Sequence, residues 1–205
     1  MKKKIVIVGY SGHSYVVIDA LRQSGYDIAG YCDTEEKSHN PYGLTYFGKE
    51  TEVAEELTAY GFFAAVGHNG IREKIMATLS HGLGKAVNAI HPSSVIDHTA
   101  ILGHGILVAP GSVINAQARL GDGVICNTSS IIEHECIVGE YTHIAPAAVL
   151  CGDVRVGARS FIGANSVIAQ GLTIGSNVVI GAGSVIIRDV PDNVTMMGNP
   201  GKQLV

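Results

Sequence analysis

A cluster of titratable residues lies in an unexpected setting, within the stretch NTSSIIEHECIVGE at residues 127–140. Glu133, His134 and Glu135 are surrounded there by Ile, Val, Ser, Cys and Gly. Charged side chains are costly to bury and usually avoid such surroundings. The three residues therefore belong either to a solvated corner or to a site. In a site, His134 would be the candidate general base, because an ordinary imidazole titrates close to neutral pH.

A second group of candidates lies in three loops of the first seventy residues. Gly9 to Ser14 follows the apolar run KIVIV, Asp33 follows YDIAGYC, and Gly67-His68-Asn69 follows FFAAV. Gly9 and Gly12 open a turn before a helix, where backbone N–H groups favour an anion such as phosphate. The spacing is not GxGxxG, and a tight turn without a ligand would use the same glycines. His13 would then be a helix-start residue in water.

The elements that carry these loops alternate between strand and helix. KIVIVG, YDIAGYCD and FFAAVG have the composition of buried strands, whereas YVVIDALRQSG, KETEVAEELTAYG and NGIREKIMATLSHG have helical spacing. This alternation predicts a small α/β unit with a parallel sheet over residues 1–90, with a short linker around His91-Pro92. Ligands of such sheets bind beyond the carboxyl ends of the strands, which is where the three loops lie.

The rest of the chain is a repeat of six residues. From Ser93 to Arg188 it divides without a gap into sixteen hexads, and the fourth place is Ile, Leu or Val in all but one, which has Cys126. This period predicts a parallel β-helix over residues 91–205, with three short strands per coil. Places four and two should point into the tube, with turns at places five and six, and the prism should stand roughly 25 Å tall.

The outward-facing third place is not uniformly polar. One face of the prism carries an unbroken aliphatic stripe, which consists of Val95, Val113, Ile131, Val149, Val167 and Val185. A solvated face should not have this composition, so the stripe predicts a partner surface. Self-association as a homotrimer is the first interpretation, and coverage by the N-terminal unit is the second.

The position of His134 within the repeat bears on its role. Its neighbours one coil away, at a spacing of eighteen residues, are Ala116 and Gly152. Both are small, which would leave space for ligands above and below the ring. On the residues alone, His134 could equally be an exposed corner histidine like His98 or His104, which also end hexads.

Composition excludes several classes of protein. A formal net charge of −4 provides no basic surface, so we expect no nucleic-acid partner. No apolar stretch approaches the ~20 residues of a membrane span, and the Met1–Gly9 start lacks the length of a signal peptide, so we expect a cytoplasmic protein. The four cysteines form no CxxC pair, which argues against a metal or disulfide framework. Cys136 and Cys151 are interpreted as packing residues.

Nearly the whole chain resembles the sugar acyltransferases of the NeuD/PglD type. The matching motifs are Ser11-Gly12-His13, Asp33, VGHN at 66–69, VINAQA at 113–118, NTSSIIEHECIVGE, His143, and GNPGK at 198–202. The resemblance implies a Rossmann-like α/β domain followed by a left-handed parallel β-helix. The stretch around His134 is most similar to the PglD branch, whose members use acetyl-CoA, without a metal, to acetylate the C4 amine of a UDP-linked 4-amino-4,6-dideoxy sugar and form UDP-N,N′-diacetylbacillosamine.

The resemblance also implies roles for individual residues. His134 would be the general base, and Glu135 would raise its basicity. Acetyl-CoA would contact His143 and the backbone at Gly152 and near Ala182. The remaining implied residues would bind the UDP-amino sugar, and they are Ser11, Gly12, His13, Asp33 and Gly67. A thiolate is a competent leaving group, so direct transfer in a ternary complex is the simplest mechanism.

Some features depart from the family pattern and leave other functions open. Where the family usually has GxGGH, this chain has Gly9-Tyr10-Ser11-Gly12-His13, followed by Ser14. Where the family has a GxPAK tail, this chain has GNPGK, which ends in Gly201-Lys202. An O-acetyltransferase acting on sialic acid or another sugar would require the same residues. A metal-dependent hydratase on the same fold would need about three histidines, and a non-catalytic nucleotide-sugar sensor would need no base at all.

Overall fold

The computed structural model describes residues 4–204, so the basic start at residues 1–3 and Val205 lie outside it. The N-terminal unit is a parallel four-stranded sheet in which the third, second, first and fourth strands of the chain lie side by side in that order. Its elements are β1 (Lys4–Val8), α1 (Gly12–Gln23), β2 (Asp27–Cys32), β3 (Thr45–Gly48), β4 (Gly61–Ala64) and α2 (Asn69–Leu83). The α/β prediction is therefore confirmed.

Two details of that prediction were wrong. The segment KETEVAEELTAYG forms only a short 3-10 helix, Glu56–Ala59, in place of a full helix. Leu57 is its one buried apolar residue, with Val53 half-buried, so the segment lacks an apolar stripe long enough to hold a helix against the sheet. The edge strand β3 was missed, although Tyr46 and Phe47 are good strand formers.

The remaining strands form the three faces of a left-handed parallel β-helix, which confirms the predicted fold class. The first face consists of β6 (Val95–Ile96), β9 (Val113–Ile114), β12 (Ile131–Ile132), β15 (Val149–Leu150), β18 (Val167–Ile168) and β21 (Val185–Ile186). The second consists of β7 (Ile101–Leu102), β10 (Arg119–Leu120), β13 (Ile137–Val138), β16 (Arg155–Val156) and β19 (Thr173–Ile174). The third consists of β5 (Ala89–Ile90), β8 (Leu107–Val108), β11 (Ile125–Cys126), β14 (His143–Ile144), β17 (Phe161–Ile162), β20 (Val179–Ile180) and β22 (Thr195–Met197), against which β23 (Lys202–Gln203) pairs antiparallel.

The hexads determine the register of the coils. Strands pair with the strand eighteen residues on, as in Ile131 with Val149, and place-four side chains such as Ile132 and Leu150 fill the tube. Place two also points inward and carries buried hydroxyls, and Thr142 Oγ1 donates to Gly157 O at 2.7 Å. The turns extend one residue further than expected, because place-one residues such as Glu135 adopt a left-handed φ of 62°.

The N-terminal unit packs against the third face of the prism. Leu107, Ala109 and Ile125 of that face belong to the same buried cluster as Ile5 and Leu21 of the α/β unit. The aliphatic stripe on the first face is left uncovered, with Val95 61% exposed and the others partly exposed. The interpretation in which the N-terminal unit covers the stripe was therefore wrong, because that unit covers a different face.

Between residues 4 and 204, no helix has the length and apolar character that crossing a membrane requires.

Candidate active site

A cavity of about 490 Å³ opens beyond the carboxyl ends of β1 and β2, as expected for this sheet. Of the predicted residues, it is lined by Ser11 and Asp33, together with Gly9. Gly9 has a φ of +90°, and a Cβ there would lie 2.5 Å from Val66 Cγ2, so the position requires glycine. Sequence reasoning missed the other walls of the cavity, which include Glu50, Thr51, Ile71, Lys74 and Thr78.

Asp33 holds the turn that opens this cavity. Its Oδ2 accepts a hydrogen bond from Tyr10 N at 2.9 Å, and its Oδ1 accepts one from Thr34 N at 2.7 Å. Burial alone would raise the pKa of this carboxyl, but these hydrogen bonds and the nearby Lys37 ammonium outweigh burial and lower the pKa below its usual value. Asp33 is therefore an anion in the folded protein, with Lys37 Nζ 3.3 Å away.

His13 and His143 meet where the N-terminal unit contacts the third face. Their ring centroids are 6.1 Å apart, and His143 is 7% exposed. Burial, with the nearby Arg72 charge, lowers the pKa of His13 to about 4 and that of His143 to about 3. Both imidazoles are therefore neutral near pH 7, and among residues 4–204 the buried His13 Nε2 has no hydrogen-bond partner.

The contacts of His143 determine its tautomer. Nδ1 lies 3.4 Å from the carbonyl of Gly67, which can only accept, and Nε2 lies 3.1 Å from the side-chain amide of Asn127. Nδ1 therefore carries the proton, and Nε2 accepts from the Asn127 amide. This arrangement joins Gly67 and His143 in one cluster, so His143 lies among the predicted nucleotide-sugar residues and is largely withdrawn from solvent.

Arg72 is a residue that sequence reasoning missed. It is fully buried, and its guanidinium makes five hydrogen bonds, to the carbonyls of Val66, Gly67, Gly123 and Tyr141 and to Asn69 Oδ1. A guanidinium has five N–H donors, so all are satisfied. Arg72 thereby ties the Gly67 loop to two corners of the β-helix. Nothing local in NGIREKIM distinguishes this arginine from a solvated helical one.

His134 and Glu135 do come together. His134 lies on the edge where the first face meets the second, with its side chain 52% exposed and pointing outward. Its Nδ1 is 3.1 Å from Glu135 Oε2, and the left-handed conformation of Glu135 turns that carboxylate back towards the ring. The neighbouring Glu133 instead accepts a hydrogen bond from Asn115 at 2.9 Å.

The space expected on the Gly152 side of the His134 ring is not present. A Cβ built on Gly152 would lie 2.5 Å from His134 Cε1 and 2.6 Å from Nε2. The imidazole itself therefore occupies the space that the missing side chain leaves. Gly152 allows the ring to lie flat against the next coil, and the expectation of an open space there was wrong.

The cysteines behave as packing residues. Cys136 is buried and its thiol donates to Cys151 O at 3.2 Å, and burial raises its pKa to about 11. Cys126 is buried within the tube. Residues 4–204 contain no group of three or more His, Cys, Asp or Glu arranged to hold a metal ion.

The predicted site residues fall into separate places on one chain. The edge with His134 also carries Ala116, Gly152, Gln170 and Arg188, and we call it the His134 edge. The cluster of His13, Gly67 and His143 lies against the third face, which is opposite this edge. Ala182 is exposed on another edge, where the third face meets the first. A single chain therefore does not bring the proposed base to the N-terminal cavity.

The comparisons with known proteins agree with this architecture. The PglD N-terminal domain model matches residues 4–79, and the model described as bacterial transferase hexapeptide (six repeats) matches residues 153–188. A variant of the perosamine N-acetyltransferase from Caulobacter crescentus, in complex with CoA and GDP-perosamine, is 35% identical, with 98% of this chain and 97% of that chain covered and a TM-score of 0.95.

Two further relatives extend the comparison. The acetyltransferase domain of PglB from Neisseria gonorrhoeae FA1090, in complex with acetyl coenzyme A, is 33% identical, with 100% of both chains covered and a TM-score of 0.91. The UDP-N-acetylbacillosamine N-acetyltransferase of Bacillus subtilis (strain 168) is 31% identical over 110 residues, which are 52% of this chain. The match spans about half the length of that relative, 51%.

The prism, its coil repeat and the attached α/β unit place the chain among the hexapeptide-repeat transferases. Within that class, the two solved structures that match the chain over almost its full length at 33–35% identity show which family it belongs to. The chain belongs to the PglD-type family of acetyl-CoA-dependent sugar acetyltransferases.

Proposed function

We propose that this protein transfers an acetyl group from acetyl-CoA to the C4 amine of a UDP-linked 4-amino-4,6-dideoxy sugar. The product would be UDP-N,N′-diacetylbacillosamine or a close analogue. The relatives support an amine on a nucleotide-linked sugar as the acceptor, because one binds GDP-perosamine and another is named for UDP-N-acetylbacillosamine. The motifs around His134 favour the second type of acceptor.

The observation that carries the proposal is the separation of His134 from the N-terminal cavity within one chain. A second copy can supply what one chain lacks, since the aliphatic stripe on the first face remains uncovered and adjoins the His134 edge. We propose a homotrimer around this stripe. Each active site would combine His134 and Glu135 of one subunit with the nucleotide-sugar cavity of the next.

The proposed mechanism follows from the tautomer of His134. Because Nδ1 faces the Glu135 carboxylate, it carries the proton, and Nε2 has the free lone pair. The neutral sugar amine attacks the thioester carbonyl, a C–N bond forms and the C–S bond breaks. Nε2 takes a proton from the attacking nitrogen, and that proton then passes to the CoA thiolate.

We assign the other predicted residues to the two substrates. Ser11, Gly12 and His13 would hold the nucleotide sugar at the start of α1, with Asp33 and Gly67 on either side. Gly152 and Ala182 would contact acetyl-CoA in the cleft between subunits, where the resemblance also implies His143. The burial of His143 favours a positioning role, through Gly67 and Asn127, over a direct contact of its ring.

The test is an assay of CoA release with acetyl-CoA and a panel of UDP-4-amino sugars, GDP-perosamine and free sialic acid. We expect acetylation of a UDP-4-amino sugar, and His134→Ala should lose roughly 10²–10⁴ in rate. The matched control is His98→Ala, because His98 lies on the same edge beside Asp97. Acetylation of sialic acid alone, or near-full activity of His134→Ala, would contradict the proposal.

A further inference from the structure

The edge between the second and third faces of the prism presents a row of backbone carbonyls to the α/β unit. Gly123, Tyr141 and Arg159 occupy place one of three successive coils on this edge, with left-handed φ values of 66°, 57° and 58°. The coils pair through the carbonyls on either side, such as Asp122 O and Thr142 O. The place-one carbonyls are therefore left for donors outside the tube.

The start of α2 supplies those donors. Arg72 Nε donates to Gly123 O at 2.7 Å, Arg72 Nη2 donates to Tyr141 O at 2.7 Å, and Asn69 Nδ2 donates to Arg159 O at 3.0 Å. The two side chains are also joined, because Arg72 Nη2 donates to Asn69 Oδ1 at 2.9 Å. One guanidinium and one amide thus span three coils, which is about 10 Å along the prism at the usual strand spacing.

The same guanidinium holds the loop before α2. Its Nη1 donates to Val66 O at 3.0 Å and to Gly67 O at 3.1 Å. Val66 lines the N-terminal cavity, and the carbonyl of Gly67 also accepts from His143 Nδ1 at 3.4 Å. Arg72 therefore connects a wall of the cavity, the ring of His143 and the edge of the prism.

The chemistry of these contacts favours orientation over stability as the role of Arg72. The side chain is fully buried, and its five acceptors are four carbonyls and one amide oxygen, so no carboxylate offsets the cost of burying the charge. Leu107 and Ile125 of the third face already pack against Ile5 and Leu21 of the α/β unit. Apolar contact is non-directional, whereas five hydrogen bonds require one arrangement of the two units.

We propose that Arg72, together with Asn69, is a positioning residue of the transfer reaction, which fixes the α/β unit and its bound nucleotide sugar in one orientation on the prism. The proposal rests on the proposed function, in which the sugar amine must reach the thioester beside His134 of a neighbouring subunit. The walls of the cavity all belong to the α/β unit. Loss of the orientation should therefore leave nucleotide binding intact and slow the transfer.

The test separates binding from turnover in Arg72→Ala. We expect kcat to fall roughly 10²-fold, while the KM for the nucleotide sugar and the Kd for UDP, measured by calorimetry, stay unchanged. Guanidinium chloride at millimolar concentration, far below what unfolds proteins, should restore part of the lost kcat by replacing the missing group. Methylammonium has the charge without the planar fork of donors and should restore nothing.

The matched control is Glu73→Gln, which removes an exposed ion pair with Arg159, 3.2 Å long, between the same two units. It should leave kcat unchanged, because exposed ion pairs contribute little. If Arg72→Ala does not fold, Asn69→Ala replaces it, and its kcat should fall roughly ten-fold because the hydrogen bonds to the third coil are lost.

Three results would overturn the assignment. They are an unchanged kcat in the variant that folds, a raised KM for the nucleotide sugar with kcat unchanged, and a fall in the kcat of Arg72→Ala that guanidinium does not reverse. The last result would show that Arg72 acts only through stability. Failure of the unaltered protein to acetylate any acceptor would instead contradict the proposed function.

Discussion

The orientation of the His134 ring depends mainly on the missing side chain at Gly152. The ring lies on Gly152 of the next coil and points one nitrogen at Glu135, and both contacts come from turns of the prism. A half-exposed side chain with such neighbours depends on close packing for its orientation. Geometry of this kind matters because small displacements of a catalytic group are costly in rate.

The substitution Gly152→Ala tests this arrangement. The added methyl would lie 2.5 Å from Cε1, so the ring must move away. We expect kcat to fall roughly 10²-fold while the KM for the nucleotide sugar stays unchanged. Gly82→Ala is the control, since a Cβ there meets nothing within 4 Å. Steady-state kinetics in which kcat of Gly152→Ala is unchanged would show that the ring does not need this contact.

At this scale the sequence predicts some residues well and others not at all. His134 and Glu135 stand out because charged residues are unexpected in an aliphatic hexad. Arg72 could not be found, because its role depends on carbonyls of Gly123 and Tyr141 that are distant in sequence. The space beside His134 was predicted wrongly because the eighteen-residue spacing of the coils does not determine the orientation of a side-chain ring.

The packing of the α/β unit on the third face creates a pH-sensitive contact. His13 and His143 face each other there, and burial, together with the nearby Arg72 charge, lowers the pKa of both imidazoles. The folded state therefore resists protonation at two positions where an unfolded chain would accept protons.

The sign of the effect on stability follows directly. Both pKa values are lowered on folding, from the ordinary value of 6.5 to about 4 and about 3, so stability is greatest above pH 6.5 and is lost as pH falls towards 4. The loss from His13 alone could reach about 3 kcal/mol. We expect the melting temperature to fall steeply between pH 6.5 and 4.5, and His143→Asn to flatten that slope.

The control for this measurement is His81→Asn, which changes an exposed histidine near the end of α2. It should retain the slope of the unaltered protein. A melting temperature that is constant from pH 6.5 to 4.5 would show that the two imidazoles are not buried as neutral groups.

The elements themselves are largely predictable. Strict hexads determine strand length, register and inward places, so the β-helix follows from the sequence, although its first strand, β5, precedes the hexads counted from Ser93. The α/β unit is less predictable, since β3 and the Glu56–Ala59 turn are short and acquire their conformation from the sheet beside them. Which face this unit covers depends on contacts between elements, and the aliphatic stripe alone leaves that question open.

On the scale of the whole molecule, one chain is an incomplete enzyme in this account. The proposed base lies on an edge opposite the face that carries the nucleotide-sugar cavity, and the first face presents six aliphatic residues to solvent. Both features are explained if three copies assemble around those stripes. The aliphatic stripe follows from the hexads, but the position of the base relative to the cavity does not, because a motif does not state on which face of the prism its partner residues lie.

Mixed trimers test this central claim most directly. One variant is His134→Ala, and the other is Ser11→Trp, which places a bulky ring in the N-terminal cavity. Each alone should be inactive and trimeric. After co-expression with two affinity tags, trimers containing both variants should regain activity, since about one site in three of such trimers would combine an intact His134 with an intact cavity of the next subunit. Mixed trimers that remain as inactive as either parent would contradict the shared site and the account built on it.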